Sequence, residues 1–452
     1  MYPIDGLAPS HQQMCGSRQL AGLEDLLADD EVEAICRGLG HRWRNRQWPP
    51  GPTVRSLVFR ALHPDHSIAA MLADLAARWG PEVSPPTDAA WCQARARLPE
   101  AVLTELMGRR AREGQRRFGS PHRWQGRWVF RVDGSTLSMP DEPGLVEAFG
   151  YSRSRHGRSR FPLARITFIE LAGLSTIWNY RLGPFRDSEE SQLYDMWDSL
   201  PGGCICLLDR KFCSFYTLAK LRRRRIGVIT PLHQRRDPYR LIRQGKSLGP
   251  DQWRVPLDLC RQIRRRYDDP TLPKVLWVRL IRVRFRHGTR KKILWLVTTL
   301  MDAHAYPARA VAQWYRRRWD IEPRIGSLKT TLEMNVLRSK SPPAVRREVA
   351  AIILGHNLTW MRVHESAQLT HTPARTISFA GAVKTLLAFS SVWPYVAPAQ
   401  RPLVYQQMLR HIARQRNHHP CDRCEPRLIK RETTHYAYLR EPRWKARLKC
   451  LS

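Results

Sequence analysis

Three acidic residues, Asp133, Asp209 and Glu322, stand where a carboxylate could hold a hard cation. Asp133 follows the apolar run Trp128-Val129-Phe130-Arg131-Val132, and Asp209 follows Cys204-Ile205-Cys206-Leu207-Leu208. A carboxylate where an apolar strand stops is held by the sheet yet open to solvent, as a metal ligand on a rigid scaffold must be. Asp133-Gly134 is also a common turn signal, so taken singly each aspartate reads equally well as a turn residue. Glu322 lies in the stretch from Tyr315 to Lys329. On a helix of roughly 3.6 residues per turn, Tyr315, Arg318, Glu322 and Lys329 fall within about 60° of one another. Trp314, Ile321, Ile325, Leu328 and Leu332 form a second stripe with the spacing of a buried face. The plainer alternative is a solvated helix laced with ion pairs such as Arg318 to Glu322. Carboxylates gathered in a cationic chain repel one another unless divalent cations lie between them. Their oxygens suit Mg²⁺ or Mn²⁺, and two such ions about 4 Å apart clamp the attacking and leaving oxygens of a phosphodiester. The chemistry is phosphoryl transfer on nucleic acid.

The elements that must position these groups change along the chain. Residues 1–118 read as helices. Thr87-Asp88 caps a helix from Ala89 to Leu98 that carries Gln93, Arg95 and Arg97. With the preceding helix from Ile68, it suits either a major-groove reader or a plain bundle with a wet face. Residues 119–232 turn to strands with a helix from Phe215. Residues 233–292 look like a β-rich insertion, with strands Trp253–Leu259 and Val275–Phe285, a hairpin turn at His287-Gly288-Thr289, and basic clusters at Arg264-Arg265-Arg266 and Arg290-Lys291-Lys292. Residues 293–370 resume with the strand from Ile293, the Tyr315 stretch, the basic loop Leu337-Arg338-Ser339-Lys340-Ser341-Pro342 and an apolar helix from Val345. Residues 371–452 form a basic C-terminal region. There Cys421 and Cys424 supply half a tetrahedral zinc site, which the adjacent His418 and His419 are too constrained to complete easily.

The 452 residues hold 76 Lys and Arg against 40 Asp and Glu, a formal net charge of +36. Such an excess repels itself unless a polyanion neutralises it, which makes nucleic acid the leading partner. Sixteen tryptophans need a core or a stacking role and argue against a disordered basic tail. Ten scattered cysteines lack the density of a disulfide framework, and reduced thiols are expected. No basic start precedes an apolar core at the N-terminus, and no apolar run is long enough to span a bilayer. An intracellular protein with no membrane partner is the expectation.

The runs Val132-Asp133-Gly134-Ser135-Thr136, Leu208-Asp209-Arg210-Lys211-Phe212 and Tyr315-x2-Arg318-x3-Glu322-x6-Lys329 resemble the three signature regions of the insertion-sequence-four family of bacterial DDE transposases. The likeness extends to Leu332–Pro342 and, through Gln93-Ala94-Arg95-Ala96-Arg97-Leu98-Pro99, to that family's N-terminal domain, covering roughly residues 20 to 365. It implies an α/β fold: a ribonuclease-H-like mixed-sheet core interrupted by a β-rich insertion, with a helical N-terminal DNA-binding domain. It implies that Asp133, Asp209 and Glu322 bind two metal ions and that Tyr315, Arg318 and Lys329 hold phosphates near the cut, with Arg210, Arg338 and Lys340 as further DNA contacts. Trp295 matches a family tryptophan that stacks on a flipped base, or it is an ordinary sheet tryptophan. The implied partners are the terminal inverted repeats, target DNA and a second copy of the chain, because two ends must be brought together. The alternatives are a nuclease of the same fold and a non-catalytic DNA-binding descendant. Pro323 departs from the family pattern. It predicts either a kink, with Glu322 still facing both aspartates, or a helix that ends and restarts around the proline; the kink is the expectation.

Overall fold

The computed structural model describes residues 26–44, 47–79, 87–154, 157–287 and 290–417, together with 445 and 448. The chain opens with helices α1 (Asp29–Gly38), α2 (Pro50–Leu62), α3 (Ile68–Trp79), α4 (Asp88–Arg97) and α5 (Glu100–Phe118). Next come β1 (Val129–Ser138), α6 (Pro143–Phe149), a ribbon of β2 (Arg153–Ser154) and β3 (Gly157–Arg158), then β4 (Leu163–Leu171) and β5 (Thr176–Pro184). The middle holds α7 (Glu189–Met196), β6 (Ile205–Leu207), α8 (Phe215–Arg223), β7 (Gly227–Pro231), α9 (Pro238–Arg243), β8 (Lys246–Gly249), β9 (Gln252–Asp258), α10 (Arg261–Tyr267), β10 (Val275–His287) and β11 (Arg290–Thr298). The last helices are α11 (Ala308–Arg316), α12 (Ile321–Thr330), α13 (Pro342–Leu369), α14 (Phe379–Val392) and α15 (Arg401–Arg414). These elements fall into two compact units, one made of the described residues of 114–136 and 165–326, the other of those of 1–113, 137–164 and 327–452.

The first of these units is built on a nine-stranded mixed sheet, ordered β5-β4-β1-β6-β7-β11-β10-β9-β8. β1 runs parallel to β6 and β6 to β7, while β4 meets β1 head to tail through Ala172 N–H to the Val129 carbonyl. Counted along the chain, the five core strands lie in the order third-second-first-fourth-fifth, the ribonuclease-H-like arrangement. Alternate residues of each strand pack on opposite faces. One face buries Phe130, Val132, Cys206, Leu208 and Val228 against α7 and α8. The other buries Val129, Ile205, Leu207 and Ile229 against Val311 and Tyr315 of α11. The β-rich insertion continues this sheet: β10 pairs with β11 from Arg279–Thr298 to His287–Arg290, and β9 and β8 follow outward. The expected hairpin turn falls between β10 and β11, and Gly288 and Thr289 lie outside the described residues.

In the other unit α13 is the centre. Pro342 and Pro343 start it where no N–H is needed, and from Val349 to His364 it is buried all round. It packs on α2, α14 and α15. At the α2 crossing a Cβ on Gly355 would come within 3.3 Å of Leu62, so the missing side chain permits the close approach. Arg55 of α2, only 2% exposed, is paired with Asp29 at 2.7 Å, and Trp91 of α4 donates its indole N–H to Ser56. Thr87 caps α4 as expected, its hydroxyl accepting from Ala90 N–H. Residues 80–86 between α3 and α4, like His418, His419, Cys421 and Cys424, lie outside the described residues. Among the described residues no helix is long and apolar enough to cross a membrane.

Two local expectations are corrected. β1 does not stop at Asp133 but runs on through Gly134 to Ser138, because Asp133-Gly134 is extended backbone within the sheet rather than a turn. The stretch from Tyr315 to Lys329 is not one helix. α11 ends at Arg316, a 3₁₀ turn covers Arg317–Asp320, and α12 restarts at Ile321 with Pro323 in its first turn. The break is therefore upstream of the proline. Arg131 of β1, 2% exposed, explains it: its guanidinium donates to the Arg317 carbonyl at 2.9 Å and pairs with Asp320 at 3.2 Å and with fully buried Glu170 at 2.8 Å.

Candidate active site

The parallel register of β1 and β6 pairs Val129 with Ile205 and Arg131 with Leu207. Carried two residues on, it sets Asp133 beside Asp209. Neighbouring strands lie about 4.8 Å apart, so the two carboxylates share one patch of the sheet edge. Alternation turns both toward the face that carries α11 and α12. Asp209 is fixed through its backbone: Thr230 of β7 donates its hydroxyl to the Asp209 carbonyl at 3.0 Å, and Leu208 N–H bonds Ile229. Glu322 enters from the first turn of α12.

One guanidinium joins two of these acids. Arg318, in the 3₁₀ turn and 5% exposed, reaches Asp133 at 3.2 Å and Glu322 at 3.5 Å. It also bonds the Tyr315 hydroxyl. Burial works against its charge, but Tyr315, Asp133 and Asp209 together outweigh that and hold its pKa above the ordinary arginine value. Asp133 shows the opposite strain. Burial, with Glu189 and Asp209 nearby, raises its pKa despite the Gly134 N–H and Arg318 that favour its charge. Burial likewise pushes the Tyr315 hydroxyl up to about 12.

The arrangement is an electrostatic socket. A side-chain cation occupies the space between Asp133 and Glu322, and these hard oxygen donors are of the kind a divalent metal takes. The three carboxylates are not gathered within the 4.8 Å that marks a single-ion cluster; among the described residues only His63, Asp65 and His66 meet that spacing. Beside the socket a cavity of about 440 Å³ is lined by Asp209, Arg210, Lys211, His233, Tyr315 and Arg318. A cationic wall next to carboxylates is suited to a phosphodiester.

The other expected residues are placed variously. Trp295 projects from the opposite face of the sheet to Tyr315, half-buried beside Tyr239 and Trp253 at 5.7 and 5.9 Å between ring centroids. Lys329, Arg338, Lys340, Gln93, Arg95 and Arg97 belong to the helical unit. Burial lowers the Lys329 ammonium pKa. Gln93 and Arg97 line one cavity of α4, while Arg95 turns to another. Sequence reasoning missed Glu189, the first residue of α7, and the Arg131–Glu170 pair. Ser188-Glu189-Glu190 is a readable helix start. Nothing local shows that Glu189 comes against Gly134, where a Cβ would lie 2.5 Å from its carboxyl carbon.

Two aspartates at neighbouring strands of a ribonuclease-H-like sheet, with a glutamate linked to one of them through Arg318, are the arrangement expected of a DDE phosphoryl-transfer enzyme. Residues 124–358 match the transposase DDE domain family. The chain belongs to that family: it is a DNA transposase whose chemistry depends on divalent metal. It is 25% identical over 335 residues to the transposase InsG of insertion sequence element IS4 from Escherichia coli K12, with 72% of each chain covered. A cryo-EM structure of a piggyBac transposase synaptic complex with hairpin DNA aligns over 90% of this chain and 88% of its own, at 11% identity and a TM-score of 0.44.

Proposed function

We propose that the chain binds the terminal inverted repeats of its own insertion sequence, cuts DNA at the element ends and joins those ends to a target, using two Mg²⁺ or Mn²⁺ ions held by Asp133, Asp209 and Glu322. The observation that carries this reading is the Arg318 guanidinium lodged between Asp133 and Glu322. It marks the point where positive charge belongs among the acids. When bound, the ions supply a lowered pKa to the attacking water or 3′-hydroxyl and charge neutralisation at the leaving oxygen. The chain's own groups do the rest. Arg318 offers paired donors to the scissile phosphodiester, with Tyr315 and Arg210 on the same cavity wall. Lys329 adds a point charge on the strand.

The proposed division of labour follows the segments read from the sequence. Residues 1–118 recognise the repeats, with Gln93 and Arg97 of α4 toward base edges. Residues 119–232 and 293–370 form the catalytic core, residues 233–292 extend the basic surface, and residues 371–452 form a basic C-terminal region. Two ends held together call for a homodimer at the synapse, working on DNA in the bacterial cytoplasm.

The test is cleavage of a labelled duplex taken from the flanks of the gene. Asp133→Asn, Asp209→Asn and Glu322→Gln are each expected to slow Mg²⁺-dependent end cleavage about 10³-fold or more, since several kcal/mol of charge stabilisation is lost. Cleavage at the wild-type rate in any of the three, or in EDTA, overturns the assignment. Joining of pre-cut ends separates a transposase from a nuclease, and tight binding without any cleavage identifies a non-catalytic descendant.

A further inference from the structure

The helical unit contains its own concentration of positive charge. A cavity of about 320 Å³ is bordered by Arg60 of α2, Arg95 of α4, Arg338 and Lys340 of the loop before α13, and Arg347 of α13. Two carboxylates, Glu333 and Glu348, share its lining. Both are engaged by the loop before α13. Glu333 takes the Arg338 guanidinium at 2.8 Å, and Glu348 accepts the backbone N–H groups of Arg338 and Ser339. Among the described residues no carboxylate lies within ion-pairing distance of Arg60, Arg95 or Arg347; Glu348 and Glu100 act on Arg60 and Arg347 only from farther off. Arg60 donates to the His66 carbonyl and Arg95 lies over the Trp91 ring.

These arginines feel one another. Burial depresses the pKa of Arg60; Glu348 partly opposes this, while Arg338 and Arg95 lower it further. Burial and Arg95 lower that of Arg347, with Glu100 opposing. Like charges brought together at a partly apolar hollow raise the energy of the folded chain unless an anion enters. The remaining wall is aliphatic, with Leu57, Ala61, Ala344 and Ile352, and Val336 stands 58% exposed. Such a lining is wasted on a free inorganic anion but suits a phosphate with a sugar attached.

We propose that this cavity grips one phosphodiester of the DNA backbone, Arg60, Arg95 and Arg347 taking the phosphate oxygens and the aliphatic wall the adjoining deoxyribose. The inference rests on the transposase reading and extends it. Arg60 and Arg347, which no motif singles out, become DNA contacts, and Arg95 serves the backbone rather than a base.

Two measurements on the full-length chain test it, both independent of cleavage. Phenylglyoxal modification of Arg95 and Arg347, mapped by mass spectrometry, is expected to slow about tenfold when an element-end duplex is added, while exposed Arg410 of α15 serves as the reference. Arg347→Gln is expected to weaken duplex binding about tenfold and to flatten the plot of log K against log salt by about 0.9, the slope carried by one phosphate contact. Arg347→Lys should retain the slope. Absence of protection by DNA, or an unchanged slope in a folded Arg347→Gln chain, overturns the proposal. Equal protection by inorganic phosphate at the same phosphate concentration also overturns it, in favour of a free-anion pocket. Wild-type cleavage alongside failed protection would sink this inference alone; failed cleavage alongside clear protection would sink the catalytic assignment alone.

Discussion

Asp133 is held in the folded chain at a cost. Its carboxyl is desolvated and faces Glu189 and Asp209, and Arg318 only partly compensates, so its folded pKa is above the unfolded value of 3.8. The folded state therefore binds this proton more tightly than the unfolded state does. Stability falls as pH rises from about 3.8 through the folded pKa, and stays reduced at neutrality. Asp133→Asn is expected to raise Tm at pH 7, with the gain fading as the pH is brought below 4, while cleavage is abolished. Thermal melts at the two pH values check this; a Tm lowered at pH 7 would contradict it. Gly134 belongs to the same balance, since Glu189 occupies the space any side chain there would fill.

At the scale of elements, the decisive feature is the broken helix that carries the acid and the cation. A continuous helix would place Tyr315, Arg318 and Glu322 on one stripe. The 3₁₀ turn instead pulls Arg318 inward, pinned from below by Arg131. Burying Arg131 with Glu170 contributes little net stability, but losing one partner would strand a buried charge at about 3–5 kcal/mol. The pair holds geometry. Pro323 then sits in the first turn of α12, where its missing N–H would have had no partner within the helix anyway. Pro323→Ala is accordingly expected to change stability by less than about 1 kcal/mol, and cleavage less than severalfold. Urea melts and initial rates decide it. A large gain in activity would mean that the proline deforms the site.

For the whole molecule, the net charge of +36 acts on DNA at long range. Its basic groups are spread over both units, including α10 with Arg261, Arg265 and Arg266. Binding to duplex of any sequence is expected to fall steeply with salt, about 10³–10⁵-fold between 50 and 200 mM for roughly six to ten phosphates neutralised. Titrations at several salt concentrations measure that slope, and a shallow one would point to few backbone contacts. Repeat recognition should appear as a difference in affinity at fixed salt rather than as the slope.

The sequence by itself determined the class of chemistry and most of the elements. Short continuous apolar runs gave β1, β6 and β7, Thr87 gave the start of α4, and the spacing of Asp133, Asp209, Arg318 and Glu322 carried the family. Those features are local: propensity, capping and alternation act over a few residues. Tertiary structure decided what depends on contacts distant in sequence. Only β1–β6 pairing aligns the two aspartates, only Arg131 shows where the helix must break, and only folding brings Glu189 against Gly134 or sends Trp295 to the other face. Arg60 and Arg347, 287 positions apart, share a cavity for the same reason. Which charges meet is set by how strands and helices pack, and the free energy of a buried charge depends on that meeting rather than on the residue's own type.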